Sequence, residues 1–142
     1  MARKSQLMKI QEQLNELGEI FMLFEDPKDK FVQLMDMAKE SEKLNDNEKV
    51  DVNKISGCTS RAWVVADSNG NDTYSFRTDS DALIVKGLLT ILEKVFTNQD
   101  VDDILKMTSQ DILRSIGLEK IITSQRTNGF SSAVEKIHGL IK

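Results

Sequence analysis

The chain has 142 residues, of which 39% are hydrophobic and 30% charged. That is the make-up of a folded domain able to bury a core, and it excludes a disordered or low-complexity chain. A formal net charge of −4 without a long basic run argues against nucleic acid as the main partner. One cysteine excludes an internal disulfide framework and suits a reducing compartment, so a cytoplasmic location is expected.

The start carries Arg3 and Lys4 but no apolar stretch behind them, and Glu12, Glu16 and Glu19 follow. This reads as neither a secretory signal nor a transit peptide. Leu7, Ile10, Leu14, Leu17 and Phe21 recur at spacings of three and four, which predicts a helix from Arg3 to Phe24. Asp26-Pro27 restarts the chain, Asp as a cap and Pro in a first turn that needs no amide donor. Phe31, Leu34, Met35 and Ala38 give a second helix its apolar face.

The polar run Asn45–Lys49 reads as loop, and Val50-Asp51-Val52-Asn53 as a short strand. Arg61–Asp67 alternates as a strand does. The cluster Ser68-Asn69-Gly70-Asn71-Asp72 contains Asn-Gly, a strong hairpin signal, so Thr73–Thr78 should return antiparallel. A sheet of about three strands results, too small to be stable without helices against one face.

Thr78-Asp79-Ser80-Asp81 gathers capping side chains before the strongest helical stripe, Val85, Leu88, Leu89, Leu92 and Phe96. The most apolar segment, Ala82 to Leu92, contains Lys86 and is too short to cross a bilayer, so no membrane contact is expected. A short helix follows at Val101, Ile104 and Leu105. Thr108–Asp111 resembles a capping box before Ile112, Leu113 and Ile116, with Gly117 as the stop. Phe130, Val134, Ile137 and Ile141 mark a last helix, whose start is ambiguous because Asn128-Gly129 alone reads as a turn. Helices, a small antiparallel sheet and more helices make an α+β domain over residues 1–142.

The stretch around which this organisation turns is Ile55-Ser56-Gly57-Cys58-Thr59-Ser60-Arg61-Ala62-Trp63. Cys58 lies on a loop leading into a strand, the kind of place where reactive side chains are presented. A lone cysteine is otherwise most often a small buried hydrophobe. Its Gly, Thr and Ser neighbours keep it out of any evident apolar stripe, and the residues alone leave both readings open.

Most chemistries that use a cysteine lack their other members. The one histidine, His138, sits beside the last apolar stripe and reads as a packing residue, a poor base for a Cys-His nucleophile. One Cys and one His do not fill a zinc or iron–sulfur site, and no glycine-rich phosphate loop is present. What survives is a lone thiol without a resolving cysteine, a base or a metal, and the chemistry open to it is nucleophilic attack on sulfur. With an unperturbed pKa of about 8.5 it needs activation, from Lys54, Arg61 or Arg126 if the fold brings them close, or from a partner's active site.

These residues carry a resemblance. Asn53-x-x-x-Gly57-Cys58-x-Ser60-x-x-Trp63, then Asp79-Ser80-Asp81-Ala82-x-Ile84-Val85-Lys86-Gly87-Leu88, then Arg126-x-Asn128-Gly129, resemble the SufE family of sulfur-acceptor proteins across roughly residues 29 to 140. The resemblance implies a fold shared with IscU-type scaffolds. It implies that Cys58 accepts sulfane sulfur as a persulfide from a SufS- or CsdA-like cysteine desulfurase, stimulates that enzyme, and passes sulfur to a SufBCD-like assembly complex. On that reading the protein binds no cofactor or metal of its own, because the pyridoxal phosphate (PLP) belongs to the desulfurase, and it acts as an accessory rather than a free-standing enzyme.

The site residues implied are Cys58 as acceptor, with Ser56, Gly57, Thr59, Ser60, Arg126, Asn128 and Gly129 in the loop or at the partner contact. Trp63, Asp81 and Lys86 are supporting residues, expected as core, helix start and solvated charge respectively. The family often has Pro at the position of Ser124, which implies that the last helix begins near Thr123 and runs through Asn128-Gly129. The family's Leu-Pro after the second helix is absent around Glu40–Glu42, and the first helix is longer than the family minimum. The alternatives kept beside this reading are a non-catalytic adaptor and an iron–sulfur scaffold.

Overall fold

The apolar stripe of the first segment becomes a helix whose Ile10, Leu14, Leu17 and Phe21 are all buried, as their spacing requires. The computed structural model describes residues 9–57 and 60–142. Leu7, the start of the predicted helix at Arg3, Cys58 and Thr59 lie outside the described residues. The elements are α1 (Ile10–Met22), α2 (Pro27–Glu40), β1 (Ala62–Gly70), β2 (Thr73–Ser80), α3 (Leu83–Phe96), α4 (Val101–Lys106), α5 (Ser109–Ser115) and α6 (Ser124–Ile141). Two short 3₁₀ turns, Asp46–Glu48 and Asp51–Asn53, link α2 to the cysteine loop.

Local chemistry sets most of the boundaries. The Asp26 carboxylate accepts from the Lys28 amide at 2.9 Å with Pro27 in the first turn, so α2 starts where the sequence predicts. The Thr108 hydroxyl accepts from the Asp111 amide at 3.1 Å to open α5. Thr123 caps α6 through the Arg126 amide at 3.3 Å. Asn128-Gly129 is therefore inside a helix and not a turn, as the family resemblance implies.

The sheet differs from expectation. Among the described residues it has two antiparallel strands, with Ala62 opposite Ser80, Val64 opposite Thr78 and Ala66 opposite Phe76. The expected third strand at Val50–Asn53 is replaced by the second 3₁₀ turn, and one isolated bridge, Lys54 to Trp63, remains of it. The reason is local. Asn53 and Lys54 spend their amides on the Val50 and Asp51 carbonyls, and the Asn53 side chain donates to the Glu48 carbonyl at 2.9 Å. Val52, 73% exposed, has no core to face. The hairpin tip is also displaced: Asn71 and Asp72, with φ of 55° and 60°, make the turn, and β1 runs on through Asn69-Gly70. Positive φ at both central residues matches the twist of a tight hairpin.

α3 is the central element, burying Leu88, Leu89, Ile91, Leu92, Val95 and Phe96. One continuous apolar cluster joins α1, α2, both strands, α3, α5 and α6. The helix-start expectation for Asp79 and Asp81 is corrected, because α3 is preceded by Ala82 without a side-chain cap. Asp79 belongs to β2; its buried carboxylate accepts from the Leu44 amide at 3.0 Å and pairs with Lys49 at 3.3 Å.

Lys86, expected as a solvated charge, is 3% exposed. Its ammonium donates to the carbonyls of Thr78 at 2.6 Å and Glu42 at 2.9 Å, and pairs with Glu93 at 3.2 Å. Glu93 also accepts from the Thr78 amide and hydroxyl and from Ser41. A buried ammonium persists only with such a set of partners. The set fastens the α2–β1 connection to β2 and α3.

Candidate functional site: the anchored cysteine loop

The cysteine loop is fastened at its base. The Ile55 amide donates to the Ala62 carbonyl at 2.8 Å, and Ile55 is buried. The two ends of the loop, Ile55 and Ala62, are therefore held together. The upstream side is tied further to α6, where the Lys136 ammonium donates to the Val52 carbonyl at 2.7 Å.

On the downstream side Arg61 is clamped three ways. Its carbonyl accepts from the Ser80 hydroxyl at 2.8 Å and the Asp81 amide at 3.1 Å, and its guanidinium donates to the Asp81 carboxylate at 2.7 Å. Asp81 thus positions the loop and does not start a helix. Buried Trp63 lies beneath two cations, Lys49 at 5.6 Å and Arg61 at 5.7 Å from the ring centroid, which confirms its core reading.

Gly57 has a specific reason to be glycine. Its φ is +85°, and a Cβ built on it would lie 2.8 Å from the Ser132 hydroxyl oxygen of α6. Residues with a Cβ seldom adopt this backbone conformation. Ser56 is exposed and Ser60 half-buried.

Ser60 shares the lining of a cavity of about 20 Å³ with Arg126, Gly129 and Phe130 of α6 and with Val85 and Leu88 of α3. The space is room for one water, not for a substrate; it marks the seam where the loop meets α6. The fold therefore brings Ser60, Arg126 and Gly129 together, with Gly57 against the same helix. Asn128 is exposed and does not line that seam.

Of the three cations proposed to stabilise a thiolate, Arg61 and Arg126 flank the loop. Arg61 spends its charge on Asp81, whereas the half-buried Arg126 guanidinium has no ion pair among the described residues. Lys54 is exposed. Lys86 belongs to the buried network described above, away from these contacts.

His138 Nε2 lies 2.9 Å from the Ile104 carbonyl. Since a carbonyl only accepts, that nitrogen carries the proton and joins α6 to α4, as the packing reading expected. No group of three or more His, Cys, Asp or Glu side chains able to hold a metal occurs among the described residues. No helix among them is long and apolar enough to cross a membrane.

Sequence reading missed Ser132, whose signal was present. Arg126, Gly129 and Ser132 stand three apart, on one face of α6. That face was legible only once the helix was known to start at Ser124.

The family model for SufE, described as an Fe-S metabolism associated domain, matches residues 15–141. An uncharacterised SufE-like protein of Rhizobium etli is 31% identical over 127 residues, 87% of this chain and 86% of that protein. The SufE-like protein 1, chloroplastic/mitochondrial, of Arabidopsis thaliana is 33% identical over 116 residues, 82% of this chain but 31% of that longer protein. The solution structure of a hypothetical protein from Thermus thermophilus has the same fold, with a TM-score of 0.73 at 18% identity, over 91% of this chain and 93% of that one.

Proposed function

The chain belongs to the SufE family of Fe–S metabolism, and from that premise we propose that it is a sulfur carrier whose Cys58 holds a persulfide. The donor is a PLP-dependent cysteine desulfurase, whose own cysteine carries the sulfane sulfur. The Cys58 thiolate attacks that outer sulfur, a new S–S bond forms at Cys58, and the desulfurase S–S bond breaks with its cysteine leaving as thiolate. Sulfur moves at the zero-valent level, so no outside oxidant or reductant is needed. Passing the sulfur on to a SufBCD-like assembly complex repeats the exchange. A reducing cytoplasm, where a lone thiol stays free, suits this chemistry.

The observation that carries the reading is the anchoring of the cysteine loop: base closed by Ile55–Ala62, downstream end clamped at Asp81, glycine turned against α6. A carrier needs one nucleophile on a short loop fixed to a rigid scaffold, and the desulfurase supplies the activated sulfur. Arg126 beside this loop favours the thiolate by its charge. The carrier is expected to raise the turnover of a cysteine desulfurase several-fold, and Cys58→Ser to abolish that rise. Full stimulation by Cys58→Ser would replace the carrier with a non-catalytic adaptor.

A further inference from the structure

A cleft of about 330 Å³ opens beside the clamp that holds Arg61, between the end of α2, the end of β2 and the start of α3. Its walls carry four ammonium groups, Lys39, Lys43, Lys49 and Lys86, and two carboxylates, Asp79 and Asp81. Four of these six charges are already matched. Lys49 pairs with Asp79, Lys86 with Glu93, and Asp81 with Arg61. Lys39 and Lys43 are exposed and have no ion pair among the described residues. The cleft is thus a positive spot on a chain whose formal charge is −4. Leu83, 40% exposed, adds an apolar contact to the same wall. Asp81 at the rim is hydrogen-bonded to Arg61, three residues beyond Cys58.

We propose that this cleft receives an acidic segment of the sulfur donor, with carboxylates against Lys39 and Lys43 and an apolar side chain on Leu83. The inference rests on the carrier reading above and adds the docking surface to it. Local charge of opposite sign steers encounter and sets register more than it adds affinity. The two unmatched lysines do so beside the segment that carries the thiol. Neither makes an ion pair among the described residues, so reversing them breaks none.

The test is a titration of desulfurase turnover with the full-length protein, comparing wild type, Lys39→Glu/Lys43→Glu, Leu83→Ser and the charge-matched control Lys120→Glu/Lys142→Glu. The cleft pair should raise the half-saturating concentration about tenfold at low ionic strength, the size expected from two rim charges. The gap should close as salt screens it, with maximal stimulation unchanged. Leu83→Ser should raise it about threefold by loss of apolar contact, and the control pair should shift it less than about twofold. Equal effects of the cleft and control pairs, or none from the cleft pair, would overturn the docking surface while leaving the carrier reading intact. Failure of the wild type to stimulate any desulfurase would overturn both.

Discussion

Gly57→Ala replaces one hydrogen by a methyl group directly before the thiol. Two costs arise. The backbone at φ +85° disfavours a side chain by about 1–2 kcal/mol. The new Cβ would sit 2.8 Å from Ser132 Oγ but an ordinary 3.6 Å from Ser132 Cβ. Because the clash is with the end of a rotatable hydroxyl, turning it aside costs about 0.5 kcal/mol.

The loop is exposed at Gly57, so it escapes the strain locally and global stability changes little. The competent arrangement becomes a minority state about 2 kcal/mol above the relaxed ones, which lowers the rate of sulfur transfer about tenfold to thirtyfold. Single-turnover transfer from a persulfidated desulfurase, quenched and read by intact mass, measures the rate; circular dichroism follows unfolding. Adding Ser132→Ala should recover no more than about threefold, the steric share. A wild-type rate in Gly57→Ala, or complete rescue by Ser132→Ala, would refute the reasoning.

Three further predictions concern the scaffold. At Gly87 an added Cβ would lie 2.3 Å from the Leu34 carbonyl oxygen and 2.8 Å from its carbon, both backbone atoms. Gly87→Ala should therefore force α2 from α3 at a net loss of about 2 kcal/mol, overpacking exceeding the gain in helix propensity; a raised melting temperature would contradict this. Lys86→Met strands the part-exposed Glu93 carboxylate and should cost about 2–3 kcal/mol in urea unfolding, with much of it restored in Lys86→Met/Glu93→Leu.

The third concerns pH. The bidentate bond from Arg77, at 2.7 and 3.0 Å, and then the Asn45 amide hold Glu48 below its ordinary value of 4.5. The Glu48 carboxylate, and then Asp67, push Arg77 upward. A lowered carboxyl contributes stability that is complete above 4.5 and is lost as pH falls through the depressed folded value. Stability of Glu48→Gln should therefore fall less steeply on acidification below about 4.5 than that of wild type; parallel acid profiles would count against the pairing.

Elements whose signals are local were legible in the sequence. The described part of the α1 stripe, the Asp26-Pro27 start of α2 and the Thr108 cap stand where residue type and spacing put them, and the hairpin forms with its tip shifted to Asn71-Asp72. The family resemblance pointed to Gly57 and to the α6 start. What escaped the sequence was decided by partners distant along the chain. Lys86 looks solvated until Glu42, Thr78 and Glu93 surround it. Asp79 and Asp81 look like caps until Leu44, Lys49 and Arg61 claim them. Val50–Asn53 alternates like a strand, yet turn hydrogen bonds consume the Asn53 and Lys54 amides. Ser132 carries no motif, and its role exists only because Gly57 is folded against it.

The measurement that bears most directly on the central claim is the intact mass of the protein after incubation with a cysteine desulfurase and cysteine, taken with and without reductant. The account predicts a gain of one or more sulfur atoms on the wild type, removed by reductant and absent in Cys58→Ser. An unchanged mass with an active desulfurase of the same organism, or a gain that persists in Cys58→Ser, would contradict it.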